Sequence, residues 1–233
     1  MVRTSVKTAF GRRRKGWRVS EQMAAGKLVR QARVEAARAI VAPLNVASRG
    51  LSLHPGEFKS VDFGGTLAVN SDVTYAFLNG ISPGTEIDQR VGREVTMRSI
   101  QFQYVLRPLA GGVDQTARVL LVYDRQTNAT ALTADQVLHT VTTVAPRNLE
   151  NRKRFKILYD RTHVLSPPAV ANTAVSRRFY RRLSHPVTFN SLGMGTIGDI
   201  ITGSLYAIFI GTEDPGATAA TVTFSSRIRY TDN

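Results

Sequence analysis

Two runs of cations hold most of the side chains in this chain that could do chemistry. The first, Arg12-Arg13-Arg14-Lys15, is followed by Trp17 and Arg18 and then, at wider spacing, by Lys27, Arg30, Arg33 and Arg38. The second, Arg177-Arg178-Phe179-Tyr180-Arg181-Arg182, interleaves arginines with two aromatic rings. Cations at this density neutralise phosphates and release condensed counterions, which gives tight, salt-dependent binding of a polyanion without sequence preference. Neighbouring rings add base stacking worth about 1–3 kcal/mol per base. As a strand, 177–182 places Arg177, Phe179 and Arg181 on one face and Arg178, Tyr180 and Arg182 on the other. A strand buried on one side would not carry cations on both. At least one face therefore meets solvent, a polyanion or carboxylates of a neighbouring subunit, and an edge strand protected by charge has the same composition. A third block, Arg152, Lys153, Arg154 and Lys156, suits DNA or plain water equally. Trp17 is the sole Trp and lies outside the body of the chain, where stacking on a base or anchoring its segment suits it.

Other chemistries find little support. His54, His139, His163 and His185 are scattered and form no HExxH or HxH element, and there is no Cys to supply a thiolate, a disulfide or a nucleophile. Gly193, Gly195 and Gly198 mimic a GxGxxG, but no βαβ pattern surrounds them, and the stretch reads as a flexible loop. Asp160 and Asp199 could hold a divalent cation between subunits, although surface carboxylates are ordinarily just solvated. No catalytic residue, metal site or cofactor is assigned.

The elements that must position these residues fall into two parts. Residues 1–50 contain twelve Lys and Arg against Glu21 and Glu35, a net of +10, so the rest of the chain contributes only +4 of the total +14. This predicts a basic arm over 1–50 joined to a near-neutral body over 51–233. Within the arm the spacing predicts a helix over 21–42, N-capped by Ser20 and stopped by Pro43. Its apolar residues, Met23, Leu28, Val29, Ala36 and Ile40 among them, fall on one face, with Lys27, Arg30, Arg33 and Arg38 mostly off it. No apolar run is long enough to span a bilayer.

From Glu57 the pattern is β. Val222, Phe224, Ile228 and Tyr230 alternate with Thr221, Thr223, Arg227 and Arg229, and Phe155, Ile157 and Tyr159 alternate with Arg154 and Lys156. Val119–Tyr123 and Leu205–Ile210 are continuously apolar, as strands covered on both faces are. Between Glu94 and Arg107 the apolar parity switches, which predicts a bulge near Ser99. Asn79-Gly80, Pro83-Gly84, Gly111-Gly112 and Pro215-Gly216 read as turns. One short helix starts at Thr133, with Gln136 at the capping-box position. About eight strands with long connections point to an all-β sandwich or jelly roll.

Seven blocks in consistent order resemble the capsid proteins of circular Rep-encoding single-stranded DNA viruses, the circovirus-like group and its relatives. They are Leu78-Asn79-Gly80-Ile81 to Gly84-Thr85, Gln89-Arg90-Val91-Gly92-Arg93, Met97-Arg98-Ser99-Ile100, Arg118 to Gln126, Asn151 to Asp160, Gly195-Thr196-Ile197-Gly198-Asp199 and Arg227 to Asn233. They cover roughly residues 73–233, and the arm resembles the family in composition alone. The basic cluster of the arm is shorter than in circoviruses proper and gives way to an Ala-rich helix.

The resemblance implies a single eight-stranded jelly roll of two packed antiparallel sheets. It implies assembly of sixty copies into an icosahedral (T=1) shell around circular single-stranded DNA, an inward-facing arm, and residence in the virion and, during assembly, the host nucleus. It also implies a nuclear localisation signal at Arg12–Lys15 read by host import machinery. The expected DNA contacts are Arg12, Arg13, Arg14, Lys15, Trp17 and Arg18, then Lys27, Arg30, Arg33 and Arg38, and on the body Arg177, Arg178, Arg181 and Arg182. The rival reading is a monomeric cellular nucleic-acid-binding β protein whose first 42 residues serve as arm or transit peptide.

Overall fold

A computed structural model describes residues 58–109, 114–166, 174–190, 193–215 and 220–232. The arm, with its expected helix and DNA contacts, lies outside them, as do Gly111, Gly112 and Gly216 of the expected turns. The described chain forms nine strands: β1 (Phe58–Val69), β2 (Thr74–Phe77), β3 (Glu94–Arg107), β4 (Gln115–Asp124), β5 (Phe155–Leu165), β6 (Val175–Phe189), β7 (Ile200–Thr202), β8 (Ser204–Gly211) and β9 (Ala220–Asp232). They build a five-stranded sheet, β1-β9-β3-β6-β7, and a four-stranded sheet, β2-β8-β4-β5. All strand pairings are antiparallel. With β7 set aside, the chain changes sheets at every connection except the β4–β5 one, and the first and last strands pair. That is the jelly roll expected from the sequence. The short β7 is an addition, pairing β6 only at Thr188 and Phe189.

Alternation fixes which side chains meet between the sheets. Val222, Phe224, Ile228 and Tyr230 of β9 are buried while Thr223, Arg227 and Arg229 are exposed, as their spacing predicts. The parity switch in β3 is a bulge: register shifts between Met97 and Ser99 against both neighbours, and Arg98 is thrown outward. Between the sheets lie Ile100, Phe102 and Tyr104 of β3, Val119 and Leu121 of β4, Phe209 of β8 and the β9 residues.

The four-stranded sheet is covered on its second face too, which explains the unbroken apolar runs of β4 and β8. Leu120, Val122, Tyr206, Ile208 and Ile210 point away from the first core into a second one, roofed by Leu132, Ala134, Val137, Leu138 and Ala145. That roof is the long β4–β5 connection, residues 125–154. It contains the expected helix α1 (Ala134–Val137), where the Thr133 N–H donates to Gln136 Oε1 at 3.5 Å. Arg118 fastens the roof to the sheet, donating to Ala145 O at 2.7 Å while gripping Asp160 through both carboxylate oxygens (2.8 and 2.7 Å).

Two expectations are corrected. The alternation of Phe155, Ile157 and Tyr159 does not continue through β5. Leu121 pairs with Tyr159 and Val122 with Ile157, so Leu158 is an extra residue. Phe155 and Ile157 pack under the roof, whereas Leu158 and Tyr159 pack between the sheets. Second, residues 193–198 do not run on as an open loop but into a 3-10 turn, Ile197–Asp199, that leads directly into β7. Gly195 there has φ of 82°, a left-handed conformation suited to glycine.

Candidate nucleic-acid interface

Strand β6 has the two-faced cationic character its sequence implies. Arg177, Phe179 and Arg181 lie opposite Tyr104, Phe102 and Ile100 of β3, and those three point into the core. Arg178, Tyr180 and Arg182 lie opposite Gln103, Gln101 and Ser99 and point to the outer face of the sheet. The four arginines are exposed. Because β7 reaches only Thr188 and Phe189, the 175–187 stretch of β6 is a sheet edge among the described residues. Charge along an edge blocks unwanted pairing, and it is equally available to a phosphate backbone.

The inward-facing cations occupy the margin where the edges of the two sheets, β6 and β5, approach. Arg181 Nη1 donates to Leu158 O across the gap at 2.9 Å, tying one sheet to the other. Beside it the Phe179 and Tyr159 rings meet at 4.9 Å between centroids. Tyr104 Oη sits 2.8 Å from Tyr159 Oη and 2.7 Å from His163 Nε2. A cleft of about 450 Å³ opens here, lined by Tyr159, Arg161, His163, Arg177 and Phe179 among others. Burial, reinforced by the positive charges of Arg177 and Arg161, holds His163 below the ordinary histidine value. Burial likewise raises the Tyr104 hydroxyl, with the Tyr159 hydrogen bond adding to it.

The outward-facing cations belong to a wider field. Cross-strand register places Arg229 of β9, Ser99 of β3 and Arg182 of β6 in one row, with the bulged Arg98 beside it. Arg227, Gln101 and Tyr180 form the next row, and Ser225, Gln103 and Arg178 the one beyond. Rows repeat about every 7 Å and strands about every 5 Å. Arg98, Arg107, Arg178, Arg182, Arg227 and Arg229 are all exposed on this sheet, against the carboxylates of Asp62 and Glu94. Of the six, only Arg227 has a carboxylate partner among the described residues: Asp62 accepts from it at 2.8 and 2.5 Å. That hydrogen-bonded ion pair holds the Asp62 carboxyl below its usual value, with a further push from the charge of Arg229. Both partners are about half exposed, so the pair contributes little to stability.

Sequence reasoning singled out the β6 arginines but did not assign Arg98, Arg107, Arg227 and Arg229 to binding. The alternation of β9 already put Arg227 and Arg229 on the polar face. What was missing was the knowledge that β9, β3 and β6 are neighbours. The Arg152–Lys156 block divides. Arg152 and Lys153 are exposed, while Arg154 holds the buried Asp124 at 2.9 and 2.7 Å and stacks over Phe155. The two carboxylates considered for a shared cation are already engaged: Asp160 accepts from Arg118, and Asp199 Oδ2 from the Thr196 N–H and hydroxyl at 2.8 and 2.7 Å. Among the described residues no group of three or more His, Asp or Glu could hold a metal ion, and no helix is long and apolar enough to cross a membrane.

Over residues 2–233 the sequence matches the family model described as geminivirus coat protein/nuclear export factor BR1 family. Among solved structures the chain aligns with one of Desmodium yellow mottle tymovirus at 13% identity and a TM-score of 0.34, covering 77% of this chain and 89% of that one. No curated protein matches.

Proposed function

Because the chain belongs to the geminivirus coat protein/nuclear export factor BR1 family, and is therefore a viral capsid protein of the virion, we propose that it packages circular single-stranded DNA inside a shell of sixty copies. The observation that carries this beyond the family is the distribution of charge: +10 within residues 1–50, and six exposed arginines on one face of the five-stranded sheet. In this reading the arm is the main DNA ligand, through Arg12, Arg13, Arg14, Lys15 and Arg18 with Trp17 stacking, and Lys27, Arg30, Arg33 and Arg38 follow. The body adds Arg178 and Arg182 from β6, together with Arg98 and Arg229 alongside them. Arg177 and Arg181 line the margin of the sandwich and come second. The contacts are to phosphates and rings, so the reading assigns no base preference and no reaction. Arg12–Lys15 also serves as the nuclear import signal, and the nuclear export factor in the family description supports a nuclear stage.

The deciding experiment replaces residues 12–15 with Ala and measures the nucleic-acid content of purified particles by absorbance at 260 and 280 nm. The fold is expected to be unchanged and the content reduced. Unchanged packaging would move the principal DNA contact from the arm to the sheet.

A further inference from the structure

The β2–β3 connection holds an exposed isoleucine on an unusually well-fastened loop. Arg90 is buried beneath it, donating to Ile81 O at 3.2 Å and Gly92 O at 2.8 Å, with its guanidinium over the Phe189 ring. Gly84 N–H donates to Arg90 O and Arg90 N–H to Ser82 O, both at 2.9 Å, closing the neck. Gln89 closes the tip, its side chain accepting from the Glu86 N–H and its own N–H donating to Glu86 O. Neighbouring strands clamp the outside: Ser60 N–H donates to Ile87 O, Tyr230 Oη to Gln89 O, and Val91 N–H to Asp232 Oδ2. What this presents to solvent is Ile87, 66% exposed, between Glu86 and Asp88, with Val91, 71% exposed, further along the same loop. A large apolar side chain on a rigid loop loses little conformational entropy on docking.

The roof over the four-stranded sheet offers a surface of opposite character. A depression of about 470 Å³ is lined by His139, Pro146, Arg147, Asn148, Leu149 and Glu150. Leu149 at its rim is 69% exposed, and Arg152 and Lys153 follow it in the same turn with exposed side chains. Glu150 is the only acid in the lining. The depression is itself braced, by Leu138 bridging Arg147 and by His139 N–H donating to Pro146 O at 2.9 Å.

We propose that these surfaces are the two halves of one contact between copies of this chain. Ile87 of one copy seats against Pro146 and Leu149 of the next, and Glu86 and Asp88 face Arg152 and Lys153. Opposite charge flanking an apolar centre on both sides fixes the register and selects this partner. The two surfaces are different parts of the chain, so the contact is head-to-tail and closes only as a ring, as a shell requires. The inference rests on the shell-forming reading above.

The test compares four proteins by size-exclusion chromatography with light scattering: wild type, Glu86→Lys/Asp88→Lys, Arg152→Glu/Lys153→Glu, and the two pairs combined. All substituted residues are exposed, and unchanged circular dichroism and melting temperature establish that each variant folds. Each pair alone is expected to lower the particle fraction at least about tenfold, and the combination to restore it. Full assembly of either pair alone, or failure of the combination to restore it, overturns the contact while leaving the shell reading intact. Normal particles with less nucleic acid in the Arg152/Lys153 pair would give that patch to DNA and also overturn it. A monomeric wild type would overturn the shell reading and this contact together.

Discussion

Asn79 is fully buried, and both ends of its side-chain amide are used. Its oxygen accepts from the Leu205 N–H at 2.7 Å and its nitrogen donates to Gly203 O at 2.8 Å, joining the end of β2 to the start of β8. Asn79→Ala leaves two buried backbone groups without partners, and the expected loss is about 3 kcal/mol. Urea unfolding would read it as a lower midpoint at unchanged m, and a loss under about 0.5 kcal/mol would refute the role. The sequence Asn79-Gly80 suggests a surface turn; nothing in the dipeptide distinguishes that from an amide folded inward, because the two partners are more than a hundred residues away. Two histidines give a prediction with a sign. Burial lowers both His163 and His185; for His185 the bond to Ser184 O opposes the shift, while Lys156, Arg125 and Arg181 add to it. As pH falls through about 6.5 the unfolded chain takes up protons that the folded chain still refuses, so stability falls. The melting temperature should therefore drop between about pH 7 and 5.5, and His163→Gln/His185→Gln should flatten that slope. An equal slope in the double variant would assign the effect to other groups.

At the level of elements, β6 separates the two jobs of its arginines. Arg178 and Arg182 point outward and touch no carboxylate among the described residues, whereas Arg181 bridges the sheets through Leu158 O. Arg178→Ser/Arg182→Ser should leave stability within about 0.5 kcal/mol. The same pair should reduce the slope of log affinity for single-stranded DNA against log salt by about 1.4, at roughly 0.7 per phosphate contact. Arg181→Ala should do the reverse, lowering the melting temperature with little change in slope. Identical behaviour of the two variants would erase the distinction between faces. The alternation of β9, the bulge in β3 and the double coverage of β4 and β8 were legible, since each leaves a periodic trace in the residues themselves. The slip at Leu158 was not, because Ile157-Leu158-Tyr159 is apolar throughout and any parity fits it. Nor was the roof: its buried residues, Leu132, Ala134, Val137, Leu138 and Ala145, follow no single period.

For the molecule as a whole, the jelly roll leaves its two broad surfaces unlike. One sheet is closed over by residues 125–154, and the other presents rows of arginine. A viral capsid protein was accessible from the order of short motifs, although they pointed to the circovirus-like group where the matched family is that of geminivirus coat proteins. The sandwich was accessible from strand alternation; the arginine field needed the strand order to bring β9, β3 and β6 side by side. The solution mass follows from the same reading: megadalton particles are expected from light scattering, against 25.6 kDa for a single chain. The pairing of β1 with β9 runs from Phe58↔Thr231 to Val69↔Ala220 and is the only ladder β1 has among the described residues. A ribosome therefore holds β1 without a partner until residues 220–232 have emerged, and β3 lacks one of its two neighbours for just as long. Closure of the five-stranded sheet waits on residues 220–232. Until those residues arrive, β1 and one edge of β3 carry unpaired N–H and C=O groups, the places where one nascent chain pairs wrongly with another.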